Sequence, residues 1–135
     1  CNAGYSIDQG VLIEDEDARE PAKIASRMIK EESWRQVLSS LAICFFARKL
    51  YSAEIVEKAL ATVGFDKNEE KLKELGEKIY REKFAFKKRE GFDFAQLRIP
   101  SRIFETSNPV GEFDEKFIRE AIECVRAFHE EIVIN

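Results

Sequence analysis

SWRQVLSSLAICFFARKLY, residues Ser33–Tyr51, is the most apolar run of the chain and holds its only tryptophan, Trp34. Trp34, Val37, Leu38, Leu41, Cys44 and Phe45 recur at steps of three and four residues, the period of one helix face. Ala42, Ile43 and Phe46 fill other sides. The pattern predicts a helix from Trp34 to about Leu50 that is apolar nearly all round its middle, and such a helix is buried nearly all round. Ser33, directly before it, reads as the N-cap.

Toward the N-terminus, the spacing of Ile24, Met28 and Ile29 predicts a helix over about 18–30, with Pro21 tolerated in its first turn. Residues 1–16 are polar and read as a loop or a short extended piece. The acidic run at their end, Glu14 to Glu16 with Asp17, complements the positive end of the helix that follows. Toward the C-terminus, Ser52 caps a predicted helix from Ala53 to about Val63, and Gly64 is its stop. Asp66 or Asn68 opens the longest predicted helix, which runs to about Arg89. Leu72, Leu75, Ile79 and Phe86 form its stripe, and glutamate–lysine pairs support the opposite face. Gly76 inside it costs about 1 kcal/mol relative to alanine, and close packing against another helix would account for it. Lys87, Lys88 and Arg89 offset the negative end of that helix.

Residues 92–113 form a long connection with Phe92, Phe94, Leu97, Ile99, Ile103 and Phe104, too apolar for a solvated linker. It is expected to pack over the helices or line a site. Asp114 caps a last helix over about 115–133, with Phe113 and Ile118 as a hydrophobic staple. Phe117, Ala121, Cys124 and Phe128 make its inward stripe, so Cys124 is expected in the core. His129, the only histidine, is expected at the surface or facing the helix C-terminus.

Taken whole, 135 residues with 44% apolar side chains and only 6 Gly and 3 Pro predict one all-α domain. About five helices in an orthogonal or bundle-like arrangement are expected. A net charge of −4 argues against a nucleic-acid partner. No apolar run approaches the ~20 residues of a membrane span, and the first residues lack the pattern of a secretory signal, so a cytoplasmic home is expected. Cys1, Cys44 and Cys124 are widely spaced and contain no Cys-x-x-Cys, which excludes a disulfide framework or a self-contained zinc site. The 36% charged residues, mostly Glu, Lys and Arg, are a hyperthermophile-like bias. No Gly-x-Ser-x-Gly and no phosphate-binding glycine loop occurs.

Three stretches carry a resemblance. Ser39-Ser40-Leu41-Ala42-Ile43-Cys44 is the first. Leu75-Gly76-Glu77-Lys78-Ile79-Tyr80, continuing to Phe86-Lys87-Lys88-Arg89-Glu90-Gly91-Phe92, is the second. Ile99-Pro100-Ser101-Arg102-Ile103-Phe104-Glu105 is the third. In order and spacing they resemble the C-terminal helical region of the aldehyde ferredoxin oxidoreductases, tungsten- or molybdopterin enzymes with one 4Fe-4S cluster. The family reads Asp-Ser-Leu-Gly-Leu-Cys at the first, Ile-Gly-Glu-Arg-Ile-Trp then Phe-Asn-x-Arg-Glu-Gly-Phe at the second, and Leu-Pro-x-Arg-Phe-x-Glu at the third. The match covers about residues 33–105 and extends loosely to 135.

The resemblance implies that Cys44 is the fourth cluster thiolate, the metal ligand of this chain. It implies that Ser39, Arg89, Glu90 and Arg102 belong to the pterin-site wall. Ser39 stands where the family has an aspartate, Ala42 where it has a glycine, and Tyr5 and Ser6 where a metal-site cysteine or histidine is common. The pterin-cradling sheet domain and the three clustered cysteines are not found in these residues. The expectation is therefore a truncated, orphan or separately encoded copy, inactive alone and without cofactor in isolation. A cofactor-binding subunit would supply the 4Fe-4S cluster and the tungsto- or molybdopterin, with ferredoxin as the implied electron partner. The alternative is a non-catalytic helical module that self-associates or docks on a partner, because the apolar residues exceed what five helices need. A helix-turn-helix DNA binder is disfavoured by the charge.

Overall fold

The computed structural model describes residues 20–105 and 114–131. The expected N-terminal loop with Cys1, Tyr5, Ser6 and the acidic run lies outside them. So do Phe113 of the expected staple and the last expected helical residues. Among the described residues the chain is all-α: α1 (Pro21–Ser40), α2 (Ala53–Thr62), α3 (Glu69–Arg89), the short α4 (Arg102–Glu105) and α5 (Glu115–Glu131). Two 3₁₀ turns, Phe45–Leu50 and Phe94–Gln96, complete the elements, and no strand occurs among the described residues.

The described residues fall into two compact units. One contains residues 30–83, the other residues 20–29, 84–105 and 114–131. Helices α1 and α3 each contribute a segment to both.

The unit of residues 30–83 has a core of Val37, Leu38, Val56 and Leu72, with Trp34, Ile43 and Leu60 packed against it. All but Ile43, which lies just past α1, come from α1, α2 and α3, so burial of their apolar faces holds the three segments together. The helices approach closely at Gly76. A Cβ there would sit 2.4 Å from the Ser33 carbonyl oxygen and 3.0 Å from Val37 Cγ2. The glycine expected to serve close helix packing does so.

That contact explains one departure from the sequence reading. The two helices expected over 18–30 and 34–50 are a single helix, α1, that passes through Ser33 without a break. Ser33 is 3% exposed and faces the α3 backbone. It is a small residue at a helix crossing and not an N-cap. Serine serves both purposes, and only the position of α3 distinguishes them.

The second departure is at the other end of the same stretch. The helix expected to reach Leu50 stops at Ser40. The amide of Ala42 donates to the Ser39 carbonyl at 3.1 Å and that of Ile43 to the Leu38 carbonyl at 3.0 Å. Ala42 has φ 57. This is the Schellman arrangement, in which a left-handed residue closes the last carbonyls of a helix. Ile43 packs back on the core that contains Leu38, the apolar contact that accompanies the motif. Beyond it the chain is not buried all round as expected: Leu41, Phe46 and Leu50 are exposed. The apolar residues that fill the other helical sides on paper face outward, because the backbone has turned.

The ends of α2 and α3 and the start of α5 follow the sequence reading, whereas α4 lies within the stretch expected as a connection. Ser52 Oγ accepts from the Ile55 amide at the start of α2. At its end Gly64, φ 80, carries the same paired bonds, Gly64 to Ala61 and Phe65 to Leu60. Asn68 Oδ1 accepts from the Lys71 amide at 3.0 Å and caps α3. Gly91, φ 90, ends α3 with the bonds Gly91 to Lys88 and Phe92 to Lys87. Three helices thus end alike, two on glycine and one on alanine. Asp114 Oδ1 accepts from the Lys116 amide at 2.9 Å and caps α5.

The other unit is centred on aromatic rings. His129 is 2% exposed and lies flat on Phe84, centroids 3.7 Å apart, with Phe94 and Phe128 around it. Phe84 also meets Phe92 edge-on and stacks with Phe94. The expectation of a surface histidine is therefore corrected, while the expected place near the helix C-terminus holds, in the last turn of α5. An imidazole is flat and aromatic, and ring stacking in this unit takes it inside. The same cluster holds Phe92 and Phe94, so the connection after α3 packs in part on the helices as expected, while Leu97 and Ile103 remain exposed. Cys124, expected in the core, is only half-buried and borders an open groove with Pro21 and Ala22. The expected stripe of α3 is also narrower: Leu72 is buried, whereas Leu75 and Phe86 are exposed.

Candidate functional site

Ser39 and Cys44 flank the Schellman turn that ends α1. Both are exposed. The Ala42 conformation reverses the chain, Ile43 anchors it to the core, and Cys44 follows on the outside. The Cys44 carbonyl accepts from the Ala47 amide at 2.9 Å, which opens the 3₁₀ turn. The cysteine is thus held by fixed backbone on either side while its thiol faces away from the core. A thiol in that position is open to a ligand that approaches from outside the unit.

Arg89, Glu90 and Arg102 belong to the other unit. Arg89 ends α3, and its guanidinium lies over the Phe86 ring at 5.3 Å. Its Nε is 3.9 Å from the Glu90 carboxylate, and both side chains are largely exposed. Such a pair adds little stability, because water screens it. Arg89 and Glu90 are brought together with the glycine turn at Gly91. Arg102 opens α4 and is exposed. The site residues expected from the sequence are therefore divided between the two units.

No group of three or more His, Cys, Asp or Glu side chains converges among the described residues. A 4Fe-4S cluster takes four thiolates in the usual case, and these 135 residues hold 3 cysteines. The donor set fits one corner of such a cluster, at Cys44, and does not fit a whole site.

A buried polar seam on α1 is not foreseen from the sequence. Arg35 is 4% exposed and pairs with Glu31 on the preceding turn. Gln36 Nε2 donates to the Glu32 carbonyl, and Gln36 Oε1 accepts from Lys83 Nζ at 2.7 Å. Burial, reinforced by the Glu32 carboxylate, pushes the Tyr80 phenol well above its ordinary range. These bonds give the Arg35 and Gln36 side chains polar partners, without which their burial would be more costly. Its signal lies in Arg35 and Gln36, two polar residues inside the most apolar run.

One comparison with known proteins matches. The family described as aldehyde ferredoxin oxidoreductase, domains 2 & 3, matches residues 2–131. No curated protein and no solved structure matches the chain.

Proposed function

The chain belongs to the aldehyde ferredoxin oxidoreductase family, and we propose that it acts as the helical part of an aldehyde-oxidising assembly whose cofactors are bound chiefly by residues outside these 135. In that role Cys44 contributes one thiolate to a 4Fe-4S cluster. Ser39, Arg89, Glu90 and Arg102 contribute to the wall around a tungsto- or molybdopterin. The bound metal–pterin and cluster would supply the two-electron oxidation of an aldehyde to a carboxylic acid and the exit of electrons to a ferredoxin. The chain's own part is to present a soft donor and to close off the site with helices.

The observation that carries this reading is the exposed Cys44 immediately beyond the turn that ends α1, within the Ser39–Cys44 stretch. Ser39 offers a hydroxyl where a carboxylate would add charge, so its hold on a pterin would rest on a neutral hydrogen bond, the weaker kind.

The test is iron and acid-labile sulfide content, with the visible spectrum, of protein purified without oxygen. Iron and sulfide in fixed ratio to the chain, lost in Cys44→Ala without loss of helicity, are expected if another chain or a second copy completes the cluster. Colourless, metal-free, folded protein, alone and with its co-purifying partners, would overturn the cluster role.

A second reading is favoured by one observation: Phe46, Leu50 and Val63 are 80%, 70% and 78% exposed. Large apolar side chains so open mark surfaces that meet another body. In this reading the chain is a non-catalytic helical interaction module that self-associates or docks on a partner. Light scattering separates the cases. An oligomer without bound metal supports the module, and a strictly monomeric, monodisperse protein counts against it.

A further inference from the structure

We draw no further inference here: the strongest candidate, the exposed apolar surface of Leu41, Phe46, Leu50 and Tyr51 beside Cys44, belongs in its cysteine to the site already described, and nothing in the structure shows what covers the rest.

Discussion

Three left-handed residues end three helices, and only one of them carries a side chain. At Ala42 the Cβ costs roughly 1–2 kcal/mol in the left-handed region. Ala42→Gly relieves that cost, while the added freedom of glycine in the unfolded chain takes back about 0.4–1 kcal/mol. A net gain of about 0.5–1 kcal/mol is expected in urea denaturation. Gly64 is the mirror case. Its φ is 80, and nothing lies within 4 Å of where a Cβ would stand. Gly64→Ala should therefore lose about 0.5–1 kcal/mol through backbone conformation alone. Gly76 differs from both. An alanine there gains about 1 kcal/mol of helix propensity. Its Cβ, however, would lie 2.4 Å from a backbone oxygen that cannot swing aside. Overpacking of this kind costs about 1–3 kcal/mol or more, so Gly76→Ala is expected to destabilise despite the better helix former. A Gly76→Ala protein as stable as the parent would show that α1 and α3 do not approach as described.

At the scale of the element, α3 shows how caps and seam divide the work. Its start rests on Asn68, and Asn68→Ala should cost about 1 kcal/mol by leaving the Lys71 amide without its side-chain acceptor. Glu57 also bonds the Glu69 amide at 2.8 Å, so the loss should sit toward the lower part of the usual range. Further along, Tyr80 gives α3 a pH signature. Its folded pKa is raised by burial first and by Glu32 second. An unfolded tyrosine ionises near its ordinary value of 10.0. The stability that neutral Tyr80 contributes is therefore complete below about pH 10 and is lost as pH rises beyond it, because the unfolded state alone releases the proton there. Tyr80→Phe should flatten this alkaline decline. Absorbance titration of the phenols, with Tyr80→Phe as reference, checks it: one of the 3 tyrosines should resist ionisation until the protein unfolds.

At the scale of the whole molecule, both units bury aliphatic side chains. One adds a polar seam to Val37, Leu38, Val56 and Leu72, and the other adds stacked rings around His129 to Ile24, Ala25, Ile29 and Ala121. His129→Ala removes a ring that is almost wholly buried and should cost about 2–4 kcal/mol, as other large-to-small core changes do. Thermal unfolding followed by circular dichroism would read it. An exposed histidine, as the sequence alone suggests, would give a change near zero. The exposed Leu50 and Val63 belong to the same scale. If self-association is the function, Leu50→Lys with Val63→Lys should shift the light-scattering mass to the monomer while leaving helicity intact.

Much of this is legible in the chain. Helix class, the caps at Ser52, Asn68 and Asp114, the glycine stops at Gly64 and Gly91 and the packing role of Gly76 all follow from local chemistry. A cap is a hydrogen bond to an amide two or three residues away, and a positive φ is a property of one residue. The family likewise is legible, in three short stretches spread over residues 33–105. The Ser39–Cys44 stretch can be found in the sequence, but the turn within it cannot, because alanine gives no signal for a left-handed conformation. Ser33 and Ser52 both precede apolar runs, yet one is a cap and the other lies beneath α3, since a small polar residue satisfies either setting. His129 became a core ring because Phe84 and Phe94, far from it in sequence, lie against it. The sequence by itself determined that the main helices form and where α2 and α3 stop, because those choices are settled within a turn or two of backbone. The tertiary structure decided that two expected helices are one, that Cys44 faces outward and that His129 faces inward, because burial depends on residues brought together from distant parts of the chain.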